Sequence, residues 1–276
     1  MKRVILFIFV ALLGINSCYQ PTPGSGIVIE ETRTLPVFNS INMAGTGVVY
    51  VSAGSPQSIL IKTDDNFIHN IKTIVRNKKL TISTENNIAP TILDFYITIP
   101  DIAQLKVSGS GNIIVENSFN QGSTLWLIGE GSGNIAINQF NANDCHITNE
   151  GSGNISIIST SLNMGIILDN FGSGNIRIED ISASEVNAYV LGSGNITVES
   201  GSTNNNNLQS EGSGQIDIMG MSSATADVTN EGSGNIKLTV SDYLNAKIYG
   251  SGNIYYWGNP PNVDEYISGS GKLIRN

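Results

Sequence analysis

The stretch Gly151-Ser152-Gly153-Asn154-Ile155-Ser156-Ile157 decides the fold. Gly-Ser-Gly recurs at 109, 131, 151, 172, 192, 212, 232, 250 and 269, so consecutive copies begin 18 to 22 residues apart. Seven of the nine copies continue as Asn-Ile, and the other two continue as Gln-Ile and Lys-Leu. A repeat of about 20 residues is typical of a solenoid, in which each repeat forms one coil.

The sequence on either side of each Gly-Ser-Gly alternates between apolar and polar residues. Ile155 and Ile157 flank Ser156 after one copy, and the same alternation precedes that copy at residues 145–147. Alternation of period two indicates a short, half-buried strand. Two such strands cannot bury their own apolar face, so the coils must stack. The sequence therefore predicts an all-β protein, a single-stranded parallel β-helix of ~20-residue coils with a β-rich N-terminal cap.

The glycines and the asparagine that recur at each corner need a physical reason. We expect the glycines to adopt positive φ, a backbone conformation that glycine takes without penalty. We expect the Asn that follows each Gly-Ser-Gly to hydrogen-bond to the Asn of the next coil as an amide ladder.

The chain before the repeats divides into three segments. Residues 1–17 are predicted to be a signal peptide, because Lys2-Arg3 precedes an apolar run that is too short to span a bilayer. Ser17-Cys18 resembles a bacterial lipobox, so residues 18–26 are predicted to be a lipidated tether with Pro and Gly composition. Lipidation of Cys18 would anchor the exported protein in the envelope, and we expect the outer membrane. The alternative is ordinary secretion with an incidental Cys.

Residues 27–104 are predicted to be the β-rich cap, and residues 105–276 the parallel β-helix. Within the cap, strands are expected at residues 58–62, 71–75, 80–83 and 95–99, with a hairpin turn at 76–79 and a short helix at 65–70. A solenoid end requires such a cover because its last strand edge is unpaired.

The composition excludes several functional classes. The formal net charge is −9, and losing Lys2 and Arg3 with the leader takes it to −11. An acidic chain without a basic patch argues against nucleic-acid binding. Two Cys and two His argue against a disulfide framework and a His-rich metal site. No cofactor is predicted.

Two features together resemble a known family. One is the opening Arg33-Thr34-Leu35-Pro36-Val37-Phe38-Asn39-Ser40-Ile41 followed by Gly45-Thr46-Gly47, and the other is the reiterated Gly-Ser-Gly-Asn-Ile. Over roughly residues 33–274 the chain resembles the head GIN family of autotransporter-adhesin domains. The resemblance implies a right-handed β-helical envelope protein with an adhesin role, and it brings no catalytic residue.

Candidate site residues are few. The pairs Glu130/Glu150 and Glu211/Glu231 precede consecutive corners, and they either splay into water or supply oxygen ligands to calcium. Aromatic residues on outward positions are candidates for a binding face; they are Trp126, Tyr189 and Tyr255. Cys145 falls on an inward position, so we expect a buried and inert thiol.

The pattern favours a non-enzymatic function. Long outward columns of Asn, Ser, Thr and Tyr suit adhesion or the binding of a glycan or surface-protein ligand. No catalytic site is predicted, because the sequence contains neither a recognisable acid–base pair nor a metal motif. The alternatives are a structural envelope protein and a polysaccharide-processing β-helix enzyme. The side of the membrane on which the protein is displayed stays open.

Overall fold

A computed structural model describes residues 20–85, 88–120 and 122–276. The predicted leader and Cys18 lie outside these residues. The described strands, numbered in chain order, are β1 Thr22–Pro23, β2 Val28–Thr32, β3 Ser40–Met43, β4 Val48–Ala53, β5 Ser58–Asp64, β6 Ile71–Arg76, β7 Lys79–Thr84, β8 Ile88–Ala89, β9 Leu93–Ile99, β10 Gln104–Val107, β11 Asn112–Val115, β12 Phe119–Asn120, β13 Leu125–Gly129, β14 Ile135–Ala142, β15 Cys145–Asn149, β16 Ile155–Leu162, β17 Gly165–Asn170, β18 Ile176–Ser182, β19 Glu185–Val190, β20 Ile196–Ser210, β21 Ile216–Asn230, β22 Ile236–Ile248, β23 Ile254–Trp257, β24 Asn262–Ile267 and β25 Leu273–Arg275. One 3₁₀-helix, Ile68–Asn70, lies in the region where a short helix was predicted. No helix in the described part of the chain is long and apolar enough to cross a membrane.

The predicted parallel solenoid is confirmed, with about nine turns. Corresponding residues of successive coils pair in register, so Ile155 lies beside Ile135 on one side and Ile176 on the other. Pairing continues without a break from β10 to β25 through parallel neighbours. At about 4.8 Å per coil, nine turns make a rod about 40 Å long.

The core is a set of apolar columns that run along the rod. Strands after each corner supply inward residues such as Ile155 and Ile157, and strands before each corner supply residues such as Cys145 and Ile147, all at most 1% exposed. A third side completes each coil. Its register shifts between Ile218/Ser222 and between Ser223/Thr225, which is where the variation in repeat length is accommodated.

The N-terminal region covers one end of the rod with antiparallel strands. β5 pairs with β2 and β9, and β6 pairs with β7 across the predicted hairpin turn, where Asn77 and Lys78 have φ of 51° and 60°. The four strands predicted in this region are confirmed as β5, β6, β7 and β9. The parallel stack begins earlier than the predicted boundary at residue 105, because β3 and β4 already pair in parallel with β10 and β11.

The expected reason for the corner glycines is wrong. Positive φ occurs at Gly26, Gly47, Gly201 and Gly258. Gly26 ends the separate Gly24-Ser25-Gly26 of the predicted tether, and none of the four belongs to the nine repeat corners. The glycines are required instead by the close approach of successive coils. A Cβ added to Gly174 would lie under 3.0 Å from the backbone carbonyl oxygen of Gly153 in the preceding coil, and the other corners repeat this clash.

The amide ladder at the corners is confirmed. Asn154 Oδ1 accepts a hydrogen bond from the backbone N–H of Asn175 at 2.9 Å and from its Nδ2 at 3.2 Å. The same pair of bonds joins Asn134 to Asn154 and Asn175 to Asn195. These bonds satisfy backbone donors where the chain turns out of the sheet.

Part of the predicted tether is fixed to the cap. Thr22–Pro23 pairs with Ile88–Ala89, and the N–H of Gly26 donates to the buried carboxylate of Asp64 at 2.8 Å. Asp64 also accepts hydrogen bonds from the backbone N–H and the hydroxyl of Thr91, both at 2.7 Å. Pro and Gly bury little surface here, so backbone hydrogen bonds hold the segment in place.

Candidate binding face

The outward side of the strands that precede each corner carries an aromatic stack. We call this side of the rod the pre-corner face; it comprises the outward residues of β10, β13, β15, β17 and β19 and of the C-terminal parts of β20 to β22. Trp126 in β13 and His146 in β15 are register partners, and their rings stack with centroids 4.1 Å apart and planes at 27°. Inward residues Leu125 and Leu127 are buried and fix the strand, whereas the Trp126 side chain is 43% exposed. The two rings cover each other's facing surfaces, and the result is a partly exposed aromatic pair on a rigid support.

A depression of about 370 Å³ adjoins this stack along the rod axis. His146 and Ile167 line it, as do Asp144 and Glu185 from the coils on either side of Gly165. Gly165 is the register partner of Glu185, and its missing side chain leaves the gap between the two carboxylates. The remaining lining residues are Asn163, Met164, Ile166, Ser184 and Asn187.

The chemistry of this depression is that of a hydrogen-bonding groove. Its polar lining consists of carboxylates, amides, one hydroxyl and one imidazole, and neither Lys nor Arg is among the lining residues. Asp169 lies near the depression, where it is the register partner of Thr148. Burial raises the pKa of the Asp169 carboxyl group, and the nearby His146 opposes that rise. Such a surface can donate hydrogen bonds to hydroxyl groups and accept hydrogen bonds from them, while an apolar part of the ligand packs on the exposed part of Trp126.

Two of the three predicted aromatic residues lie on the same face of the rod. Tyr189 lies in β19 on the pre-corner face, three coils from Trp126, or about 14 Å at ~4.8 Å per coil. Phe171 contacts the Tyr189 ring edge-on at 5.7 Å. Burial, followed by its hydrogen bond to Glu211, raises the pKa of the Tyr189 phenol. Tyr255 lies in β23, after a corner and therefore on a different side of the rod.

His146 and the depression were not predicted, although a signal for the stack is present in the sequence. Counting back from two consecutive Gly-Ser-Gly copies places Trp126 and His146 at the same position of neighbouring coils. Side chains at the same position of stacked coils must be neighbours. Gly165 begins β17 at a position where the other coils have no glycine, so the repeat itself does not specify the gap.

Two of the four predicted glutamates have side-chain partners. Lys106 Nζ forms an ion pair with Glu130, and Gln209 Nε2 donates to Glu211 at 2.9 Å. Glu150 and Glu231 are exposed. Residues 20–85, 88–120 and 122–276 contain no group of three or more His, Cys, Asp or Glu placed to hold a metal ion. The calcium hypothesis stays a prediction.

Cys145 is buried as predicted, and burial raises the pKa of its thiol well above the ordinary value. Asp217 and Lys237 are register partners on neighbouring coils and form an ion pair at 2.9 Å.

Comparison with known proteins agrees with this architecture. The family described as "Putative auto-transporter adhesin, head GIN domain" matches residues 37–200 and 171–260, which together span most of the chain. The chain belongs to the head GIN domain family. No curated protein sequence matched the chain.

Several solved structures have the same fold. A "putative adhesin" from Parabacteroides distasonis has a TM-score of 0.67 at 20% identity, with 92% of this chain and 99% of that chain covered. A "putative lipid binding protein" from the same organism has a TM-score of 0.65 at 22% identity, with the same coverage. A "putative adhesin" from Parabacteroides merdae has a TM-score of 0.60 at 21% identity, covering 92% and 98%. At this level of identity, the likeness establishes the fold alone.

Proposed function

We propose that this head GIN protein is a non-enzymatic adhesion protein of the bacterial envelope that binds glycans through the pre-corner face. The observation that carries the proposal is the exposed Trp126–His146 stack beside a groove lined by carboxylates and amides. Family membership supports an adhesion role, because the family is described as an adhesin domain.

The geometry suits a sugar ring better than it suits a flat protein epitope. One face of a pyranose is apolar and can pack on an aromatic ring, while its hydroxyl groups require hydrogen-bond partners when they leave water. Asp144, Glu185 and Asn187 supply such partners within the depression. The groove continues along the rod as a second depression of about 460 Å³, which Glu185 also lines together with Asn207 and Asp227. A linear glycan lying along the axis would therefore meet polar groups on successive coils.

We propose that Cys18 carries a lipid anchor that holds the protein on the envelope membrane. In a bacterium with two membranes, we propose the outer one. The lipobox-like Ser17-Cys18 and the preceding apolar run support this anchor. Acyl chains contribute about 0.8 kcal/mol per buried CH₂, so two or three of them hold a protein on a membrane durably. Labelled palmitate should enter the wild-type chain and should not enter Cys18→Ala. Equal labelling of the two chains would contradict the anchor.

Polysaccharide cleavage is the competing function. Asp144 and Glu185 lie two coils apart, about 10 Å at ~4.8 Å per coil. Inverting glycosidases hold their two carboxyl groups ~6.5–9.5 Å apart. The backbone separation of these two residues is just above that range, so the assays must include degradation as well as binding.

A binding array tests the proposed function. The soluble chain from Gln20 onward, which contains every described residue, is applied to glycans and matrix proteins beside polysaccharide-degradation assays. Trp126→Ala should lower glycan affinity about 5-fold to 150-fold, taking the ~1–3 kcal/mol that an aromatic ring contributes when a ligand ring stacks on it. Tyr255→Ala, on another side of the rod, is the matched control and should bind as wild type does.

Each outcome of this array discriminates between functions. Reproducible depolymerisation would replace adhesion with enzymatic function. No signal in either assay would favour a structural envelope role. Binding to matrix proteins alone, unchanged in Trp126→Ala, would contradict a glycan site on the pre-corner face.

A further inference from the structure

The end of the solenoid formed by β24 and β25 exposes part of the apolar core. β24 pairs on one side with β22, and β25 pairs on one side with β23, so each strand has an open edge among the described residues. Val263 and Ile267 in β24 are 38% and 39% exposed, whereas their register partners Leu244 and Ile248 are 0% exposed. Apolar columns that are sealed in every inner coil therefore reach solvent here.

The two ends of the rod differ in this respect. At the other end, antiparallel strands β2, β5 and β6 lie against the stack and cover it. An exposed strand edge with apolar neighbours is a template for pairing with another chain, and proteins normally cover or block it. The open end requires either a partner or a blocking charge.

The sequence of the open end is self-complementary about Ser270, the middle residue of the last corner. Ile267 lies three residues before Ser270 and Leu273 lies three residues after it. Glu265 lies five residues before Ser270 and Arg275 lies five residues after it. Residues at equal distances before and after Ser270 are therefore chemically matched: apolar Ile267 with apolar Leu273, and acidic Glu265 with basic Arg275.

The strand directions suit a two-fold axis through this corner. β24 runs towards the corner and β25 runs away from it. A two-fold axis through Ser270 would exchange the two strands, so that β24 of one copy lies antiparallel to β25 of the second copy. A closed, isologous contact of this kind uses the same surface on both copies.

We propose that the protein forms a two-fold symmetric end-to-end dimer through β24 and β25. Ile267 packs on Leu273 of the second copy, and Glu265 forms an ion pair with Arg275 of the second copy. Glu265 lies on an inward column, where a charge on an edge strand normally opposes pairing. Its carboxylate has no hydrogen bond or ion pair with the described residues of its own chain, so the second copy supplies the missing partner. The dimer is independent of glycan binding, because it uses the end of the rod and not its pre-corner face.

A charge exchange tests this contact. The mass of the chain from Gln20 onward is measured by sedimentation equilibrium over a range of concentrations for wild type, Glu265→Arg, Arg275→Glu and the double variant. Wild type should reach the mass of two chains. Each single variant places like charges together and should raise the dimer dissociation constant at least tenfold, whereas the double variant should restore the wild-type constant.

Control measurements keep a failure to fold apart from a failure to dimerise. Circular dichroism of the single variants should match wild type at concentrations where all chains are monomeric, since both positions are on the exposed end. The urea midpoint of Glu265→Arg should also match, whereas Arg275→Glu loses the hydrogen bond that Arg275 donates to Asn259 Oδ1 at 2.7 Å. A wild-type chain that stays monomeric would overturn the proposal and would assign Glu265 to blocking the edge. Dimers of equal strength in all four chains would also overturn it.

Discussion

Substitution of a corner glycine should destabilise the rod through contact between coils. In Gly174→Ala the new methyl would meet the backbone carbonyl of Gly153, and neither backbone can yield without moving a coil. An added methyl in a packed site costs about 1–3 kcal/mol. The shift would also weaken the bonds from the N–H groups of Ser173 and Gly174 to Gly151 O, now 3.1 Å and 3.2 Å long. Each such bond contributes about 1 kcal/mol, so we expect a loss of about 3 kcal/mol.

Urea unfolding monitored by circular dichroism measures this loss as the change in midpoint multiplied by the slope. Gly122→Ala is the matched control, because an added Cβ there has nothing within 4 Å. Alanine at Gly122 should change stability by less than about 1 kcal/mol, and towards stabilisation, since it restricts the unfolded chain. Equal losses at both positions, or no loss at Gly174, would refute close coil approach as the reason for the repeated glycines.

Three further perturbations have defined outcomes. Burial opposes ionisation of Asp64, but hydrogen bonds from Thr91, Gly26 and Ile92 hold its pKa below the ordinary value of 3.8. The contribution of Asp64 to stability is therefore complete above that value and is lost as the pH falls through the lower folded-state pKa. In Asp64→Asn the free energy of unfolding should depend less on pH in the acid range. An unchanged acid dependence would contradict a stabilising role of the hydrogen bonds to Asp64. Asn154→Ala should lower the free energy of unfolding by about 1–3 kcal/mol, because it removes side-chain bonds in two steps of the amide ladder, to Asn134 and to Asn175, at about 0.5–1.5 kcal/mol per step; wild-type stability in urea would show that water replaces the ladder. The buried Cys145 thiol should react with an alkylating reagent only in denaturant, as measured by mass spectrometry, and rapid labelling of the native chain would contradict its burial.

The repeat predicted most of the fold because its period and its alternation are both properties of the chain itself. Ile155, Cys145 and their counterparts in other coils occupy the inward columns that alternation assigns to them. Corner chemistry was harder to predict. Glycine permits both positive φ and close approach of backbones, and the sequence does not distinguish these two uses.

Some inward residues of the rod are polar, and the alternation of apolar and polar residues does not predict them. Asn149, Asn170 and Asn230 lie on an inward column and are 0% exposed. Each donates from Nδ2 to the carbonyl of the glycine four residues later, at 2.9 Å. These inward amides provide hydrogen-bond donors for the backbone carbonyls of the corner. A polar residue at this position therefore does not indicate that the side chain points outward.

The candidate site was predicted only in part, for a geometric reason. Trp126 and Tyr189 were recognised as outward aromatic residues, and both lie on the pre-corner face. Tyr255 is also aromatic and outward, but it follows a corner instead of preceding one. A binding face is a set of neighbours on one side of the rod, so residue type must be combined with position in the coil.

Fluorescence of Trp126 gives the most direct test of glycan binding at the pre-corner face. The chain contains two tryptophans, so Trp257→Phe leaves Trp126 as the single emitter. Titration of this variant with a glycan that the array identifies should give a saturable emission change with the wild-type dissociation constant, and Trp126→Phe, which retains Trp257, should give none. Saturable binding that leaves Trp126 emission unchanged, or a response from Trp257 alone, would contradict a glycan site at the Trp126–His146 stack.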